Sequence, residues 1–162
     1  MQLLEFREAG MRVCFRINDD KTVELVDFSA ESAVGADGKP ADLEQLKQGD
    51  CIAPRLHQLL AVHLTGEGTT GVHAYKHNTG SESARFHYLE HRMEVLADGK
   101  LLTISMESEH HLHADYRMRF YEETAAVRVE TTLRNDGTEA VGLEYVSSFY
   151  YGGLSKNGAG EY

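Results

Sequence analysis

The chain has 162 residues, 41% of them apolar and 26% charged, with a formal net charge of −10. That length supports one domain around one sizeable core, and the composition is that of an ordinary globular protein. No run of Lys and Arg offsets the acidic balance, so a nucleic-acid partner is excluded, and no apolar run approaches the length of a membrane span.

The N-terminus, Met1 to Glu8, carries Glu5, Arg7 and Glu8 where a signal peptide needs an apolar centre. Cys14 and Cys51 lie far apart without a CxxC or metal-type spacing. They read as two reduced thiols, and the expected location is cytoplasmic. Met11 to Ile17 alternates, with Met11, Val13, Phe15 and Ile17 on one side, which predicts a half-buried strand. Asn18-Asp19-Asp20 is a turn cluster, and Thr22 to Phe28 is the return strand. Its apolar phase slips between Leu25 and Val26, as a bulge or two-sided burial would produce.

Residues 30–54 break the β-pattern and read as an inserted loop. Asp37-Gly38-Lys39-Pro40 is a turn, and 42–48 forms one short helix, capped by Asp42 with Gln45 at the capping-box position and ended by Gly49. Arg55 to Leu64 fits a strand through Leu56, Leu60, Val62 and Leu64, and a helix through Leu56, Leu59, Leu60 and His63. The β-rich surroundings favour the strand.

From Arg85 onward the chain alternates almost without interruption. His87 to Val95 is a weakly amphipathic strand, and Asp98-Gly99 is a hairpin turn. Leu102, Ile104 and Met106 form the apolar side of the next strand. Leu112, Ala114, Tyr116, Met118 and Phe120 follow, opposite His113, Asp115, Arg117, Arg119 and Tyr121. Val127, Val129, Thr131 and Leu133 form one face of the segment Ala125 to Arg134. Asn135-Asp136-Gly137-Thr138 is expected to turn that strand directly into Val141, Leu143, Tyr145, Ser147 and Phe149, with Gly137 left-handed. Eight or so turn-punctuated, half-apolar strands predict an all-β fold, an antiparallel β-sandwich over residues 1–162 as a single domain.

One stretch concentrates chemistry. Gly71 to Ser81 packs His73, Tyr75, Lys76, His77, Thr79 and Ser81 between glycines. His73 and His77 are four apart, as metal ligands can be, but Ala74 stands where the zincin motif has Glu, and no third ligand is in view. His111 and His113 share one side of a strand, where a solvated charged face accounts for them. Glu107, Glu109, Asp115, Glu122 and Glu123 offer carboxylates, none singled out as a glycosidase pair. Ser147-Ser148 lacks the glycines of a nucleophile elbow, and no glycine run has phosphate-loop spacing. No metal and no cofactor is expected.

Three stretches carry a resemblance. They are Arg55 to Glu67, RLHQLLAVHLTGE; Val72 to Gly80, VHAYKHNTG; and Val127 to Phe149, VRVETTLRNDGTEAVGLEYVSSF. In order and spacing they resemble the N-terminal domain of family 36 glycoside hydrolases, the melibiase-type α-galactosidases. Ala74-Tyr75 replaces the glycine that the family usually has between its His and its Lys-His pair.

The resemblance implies a partial β-supersandwich of the galactose-mutarotase type, from a longer enzyme whose (β/α)8 barrel holds the catalytic aspartates. No residue here matches those motifs, so no catalytic residue is expected. The implied role is to pack on that barrel and shape the rim of a galactoside pocket, with His73, Lys76 and His77 at the rim or interface. A homo-oligomer of the full-length enzyme is a possible assembly. A stand-alone carbohydrate-binding module is the alternative, and a sugar mutarotase or epimerase the third reading.

Overall fold

A computed structural model of the chain describes residues 1–30, 58–67 and 80–151. The helix expected over 42–48, Cys51, and the candidates His73, Lys76 and His77 lie outside the described residues. The described residues form nine strands, β1 (Gln2–Glu8), β2 (Met11–Ile17), β3 (Val23–Ala30), β4 (Val62–Leu64), β5 (His87–Leu96), β6 (Gly99–Glu107), β7 (Leu112–Tyr121), β8 (Thr124–Asn135) and β9 (Leu143–Val146). A single 3-10 turn, Ser81–Arg85, completes the described elements.

All pairings are antiparallel. β1-β2-β3 form one sheet, β5-β6-β7-β8 a second, and β4-β9 a two-stranded ribbon. The two larger sheets face each other across one apolar core. Val13, Phe15 and Leu25 from the first meet Leu102, Ile104, Met106, Tyr116 and Met118 from the second. The Phe15 and Tyr116 rings sit edge to face at 6.3 Å, a favoured aromatic geometry. β7 shows the logic most plainly, since its residues alternate buried and half-buried from Leu112 to Tyr121, as the period of two predicts. The all-β sandwich of antiparallel strands is therefore the fold.

The slip between Leu25 and Val26 is a bulge. Phe15 pairs Leu25 while Cys14 pairs Asp27, so Val26 is the extra residue. β2 departs from expectation, because it is buried on both faces rather than one. Arg12 and Arg16 are 5% and 6% exposed on the face opposite Phe15. Arg12 Nε lies 2.7 Å from Asp27 and Arg16 Nε 2.6 Å from Glu24, so cross-strand ion pairs make that burial tolerable.

Three further expectations are corrected. The strand β1 was not anticipated; it joins β2 through Ala9 and Gly10, with φ of 52° and 75°, the positive pair of a primed hairpin turn. Gly137 is not left-handed. Asn135 supplies the turn instead, its Oδ1 accepting from the Gly137 amide at 3.0 Å and its Nδ2 donating to the Glu139 carbonyl at 2.8 Å. The chain then leaves β8, and β9 pairs with β4, eighty residues away in sequence. His111 does not share a strand face with His113: it precedes β7 with φ 59°, in the turn from β6.

Tyr116 is fully buried and its hydroxyl has no hydrogen-bond partner among the described residues, while burial pushes its pKa up. Removing that oxygen should cost nothing. Tyr116→Phe is expected to leave stability unchanged or raise it by up to about 1 kcal/mol. A loss of more than about 1 kcal/mol in urea unfolding would show that the hydroxyl has a partner.

Candidate functional site

The stretch with the densest polar chemistry, His73 to Ser81, is entered from β4 and left through the 3-10 turn. Its two flanks are described, and they are tied together. β4 ends in a turn at Thr65-Gly66, with Gly66 at φ +85° and the Glu67 amide donating to the Leu64 carbonyl at 3.1 Å. That turn aims the Glu67 carboxylate back at the chain. Oε2 accepts from the Leu64 amide at 2.9 Å, and Oε1 accepts from the Glu82 amide at 2.6 Å and the Ser81 hydroxyl. Burial works to raise the Glu67 pKa. The Ser81 hydroxyl and the Leu64 and Glu82 amides, helped by His63, outweigh it and hold the carboxyl below the ordinary range.

Backbone bonds close the same junction. The Gly80 amide donates to the Val62 carbonyl at 2.7 Å. The Ser83 hydroxyl donates to that carbonyl at 2.7 Å and accepts from the Val62 amide at 2.8 Å. A Cβ on residue 80 would stand 2.1 Å from Glu67 Oε2 and 3.0 Å from the Val62 carbonyl, so a side chain there would push the Glu67 carboxylate off its donors. Glu67 and Gly80 thus form a clamp at the base of the segment 68–79.

Two more carboxylates border the clamp. His63 reaches the Glu67 carbonyl through Nε2 and the Glu144 carboxylate of β9 through Nδ1, each at 3.4 Å. Glu82 is fully buried, and its Oε2 lies 2.7 Å from His110 Nδ1 and 3.5 Å from Arg85. The pair ties the 3-10 turn to the turn between β6 and β7. Elsewhere His113 leans on Asp115 at 3.2 Å and Arg119 grips Asp98, side-chain pairs on the outer face of the second sheet. Among the described residues no three His, Cys, Asp or Glu side chains stand close enough to hold a metal ion.

A cavity of about 210 Å³ opens beside the clamp, between the β2-β3 turn and the 3-10 turn. Its outer wall is polar, formed by Asn18, Asp20 and Thr22. The Thr22 hydroxyl and amide both donate to Asp20 Oδ1 and hold the Asp20 carboxyl below its ordinary range. The deeper wall carries Glu24 and Gln58, joined through an isolated β-bridge. The floor is apolar, with Leu60, Phe86 and Met106 each at most 3% exposed. Gln58 is 9% exposed and its Nε2 has no acceptor among the described residues, an omission worth about 1–3 kcal/mol in a buried amide.

Sequence reasoning named the stretch and missed what holds it. Glu67 and Gly80 stand at the ends of two of the stretches that carry the resemblance, and that position was the available signal. Glu82 and Gln58 gave none, because each matters through neighbours distant in sequence.

The fold and site together define an antiparallel β-sandwich in which Glu67 is bonded to Leu64, Ser81 and Glu82 beside a small mixed-polarity cavity. Comparison with solved structures places that fold among known ones. The chain is similar to part of AgaA, a GH36 α-galactosidase of Geobacillus stearothermophilus, both as a doubly substituted variant in complex with raffinose and as AgaA itself. The TM-scores are 0.51 and 0.50, with 13% sequence identity in each case. The likeness covers 86% of this chain and 23% of that enzyme. No protein-family model and no curated protein matches the sequence.

Proposed function

We propose that the chain is the N-terminal, non-catalytic β-sandwich domain of an α-galactosidase-like glycoside hydrolase of the cytoplasm, acting in carbohydrate metabolism. It packs on a catalytic barrel and shapes one rim of the galactoside pocket. The supporting observation is the shared fold, which runs over 86% of this chain yet accounts for 23% of a family 36 α-galactosidase. The clamp adds a physical reason for the rim. A segment rich in donors is useful for recognition only if its ends are fixed, and Glu67 with Gly80 fixes them. His73, Lys76 and His77 are the groups that such a segment would offer to substrate or to the barrel.

Native protein, captured from its source cells with an antibody raised against this chain, is expected to hydrolyse a chromogenic α-galactoside. Replacing His73, Lys76 and His77 together by Ala in the encoding gene is expected to raise KM about tenfold or to weaken assembly. Captured protein without α-galactoside hydrolysis would overturn the hydrolase reading. Unchanged KM, turnover and assembly in the triple variant would remove the three residues from the rim.

A further inference from the structure

We infer that the cavity between the β2-β3 turn and the 3-10 turn is a binding site for a neutral, polyhydroxylated ring of monosaccharide size. The observations that carry this are its volume, the division of its walls, and the Gln58 carboxamide, nine-tenths buried in the wall with no partner for its Nε2 among the described residues.

A volume of about 210 Å³ leaves room for a single pyranose ring rather than for an oligosaccharide. The walls divide as a sugar ring divides. Phe86, Met106 and Leu60 offer an apolar floor to ring C–H groups, and Asn18, Asp20 and Thr22 offer a polar rim to hydroxyls. Asp20 uses Oδ1 on Thr22, and its Oδ2 is bonded to none of the described residues, so that oxygen can accept from a ligand hydroxyl. The third group is the Gln58 carboxamide, which lines the cavity while its Nε2 as it stands is shut off from solvent. A half-turn of the carboxamide exchanges its oxygen and nitrogen, so this wall can either accept from or donate to a hydroxyl.

Charge narrows the class. Asp20 repels anions, and the charge of Glu24 is already neutralised by Arg16, 2.6 Å away. The apolar floor gives a bare cation no ligands. A neutral polyol satisfies the carboxylate and the amide without an uncompensated charge.

The test is an amide-shift titration of the full chain by heteronuclear NMR, with galactose, glucose and, as a cation of similar size, cyclohexylammonium. Either sugar is expected to saturate with a Kd of the order of millimolar, moving the amides of Thr22, Gln58 and Phe86, with little dependence on salt. Gln58→Leu is expected to weaken binding about tenfold, the loss of one hydrogen bond. Ala84→Trp, which plugs the mouth from an exposed position on the 3-10 turn, is expected to abolish it and keeps the test valid if Gln58→Leu unfolds. No saturation by about 100 mM sugar overturns the inference, since binding so weak is no site. So does saturation by cyclohexylammonium alone, or sugar binding that survives both substitutions. The readout uses this chain and no hydrolysis, so it stands or falls separately from the proposed hydrolase role.

Discussion

Gly99→Ala is expected to destabilise the protein by about 3–5 kcal/mol, a third or more of the stability of a typical domain. Gly99 opens β6 and pairs on both sides, with Leu96 in β5 and Tyr121 in β7. Its φ is +150°, a conformation that L side chains rarely adopt. A Cβ there would lie 1.9 Å from the Phe120 carbonyl oxygen, 2.9 Å from its carbon and 3.1 Å from the Tyr121 Cα. All three are backbone atoms, so no rotamer relieves the contact, and β6 must part from β7. The strands that would separate carry Leu102 and Phe120, both in the centre of the core. Gly66→Ala is the control. Its φ of +85° is also positive, but nothing lies within 4 Å of the added carbon. It should cost only about 1–2 kcal/mol, the conformational part alone. Urea midpoints for the two variants, with slopes compared to the parent, separate conformation from collision. A Gly99→Ala protein within about 1 kcal/mol of the parent would mean that the β6-β7 junction yields, and the account above would be wrong.

That glycine also marks where the sequence was readable. Asp98-Gly99 announced its hairpin, and from His87 to Asn135 each strand pairs the next, so local turns set the register. The alternation on β7 then named its buried residues one by one. Legibility failed where pairing is not local. β9 crosses to β4 because the Asn135 side chain completes a wider turn, and nothing in the spacing of Asn135 to Thr138 distinguishes that from a tight hairpin. On β2, Arg12 and Arg16 looked solvated because a charge between apolar residues usually is. Their burial depends on Asp27 and Glu24 arriving opposite, one of them through the Val26 bulge. β1 was passed over because adjacent Leu3 and Leu4 blur its alternation. The candidate site was legible as composition and illegible as mechanism. The richness of His73 to Ser81 is visible in the letters, whereas Glu67 earns its place through donors on Leu64, Ser81 and Glu82, an arrangement with no sequence motif.

Glu67→Gln should cost about 2–4 kcal/mol and open the base of that segment. The carboxylate accepts from three donors through two oxygens, and a carboxamide has only one oxygen. Whichever way it turns, its NH2 faces a donor, either the Leu64 amide or the Ser81-Glu82 pair. The substitution therefore leaves buried donors unpaired instead of merely weakening them. Acid should do reversibly what the mutation does permanently. The folded carboxyl titrates below its ordinary value of 4.5. Its contribution is thus fully present above that value and is lost as pH falls through the lower, folded one. Stability of the parent is expected to drop below about pH 4.5, and Glu67→Gln, having no proton to take up there, should show a shallower acid slope. Hydrogen exchange gives the local readout. The Leu64 and Glu82 amides should exchange faster in Glu67→Gln, while amides in the middle of β6 and β7 change only as far as global stability does. If Leu64 and Glu82 stay protected in the variant, Glu67 is not what holds the two flanks together, and the Gly80–Val62 and Ser83–Val62 bonds must close the segment without it. If they lose protection, and the effect on KM proposed for His73, Lys76 and His77 disappears in the same variant, then that proposed role depends on Glu67 fixing the ends of residues 68–79.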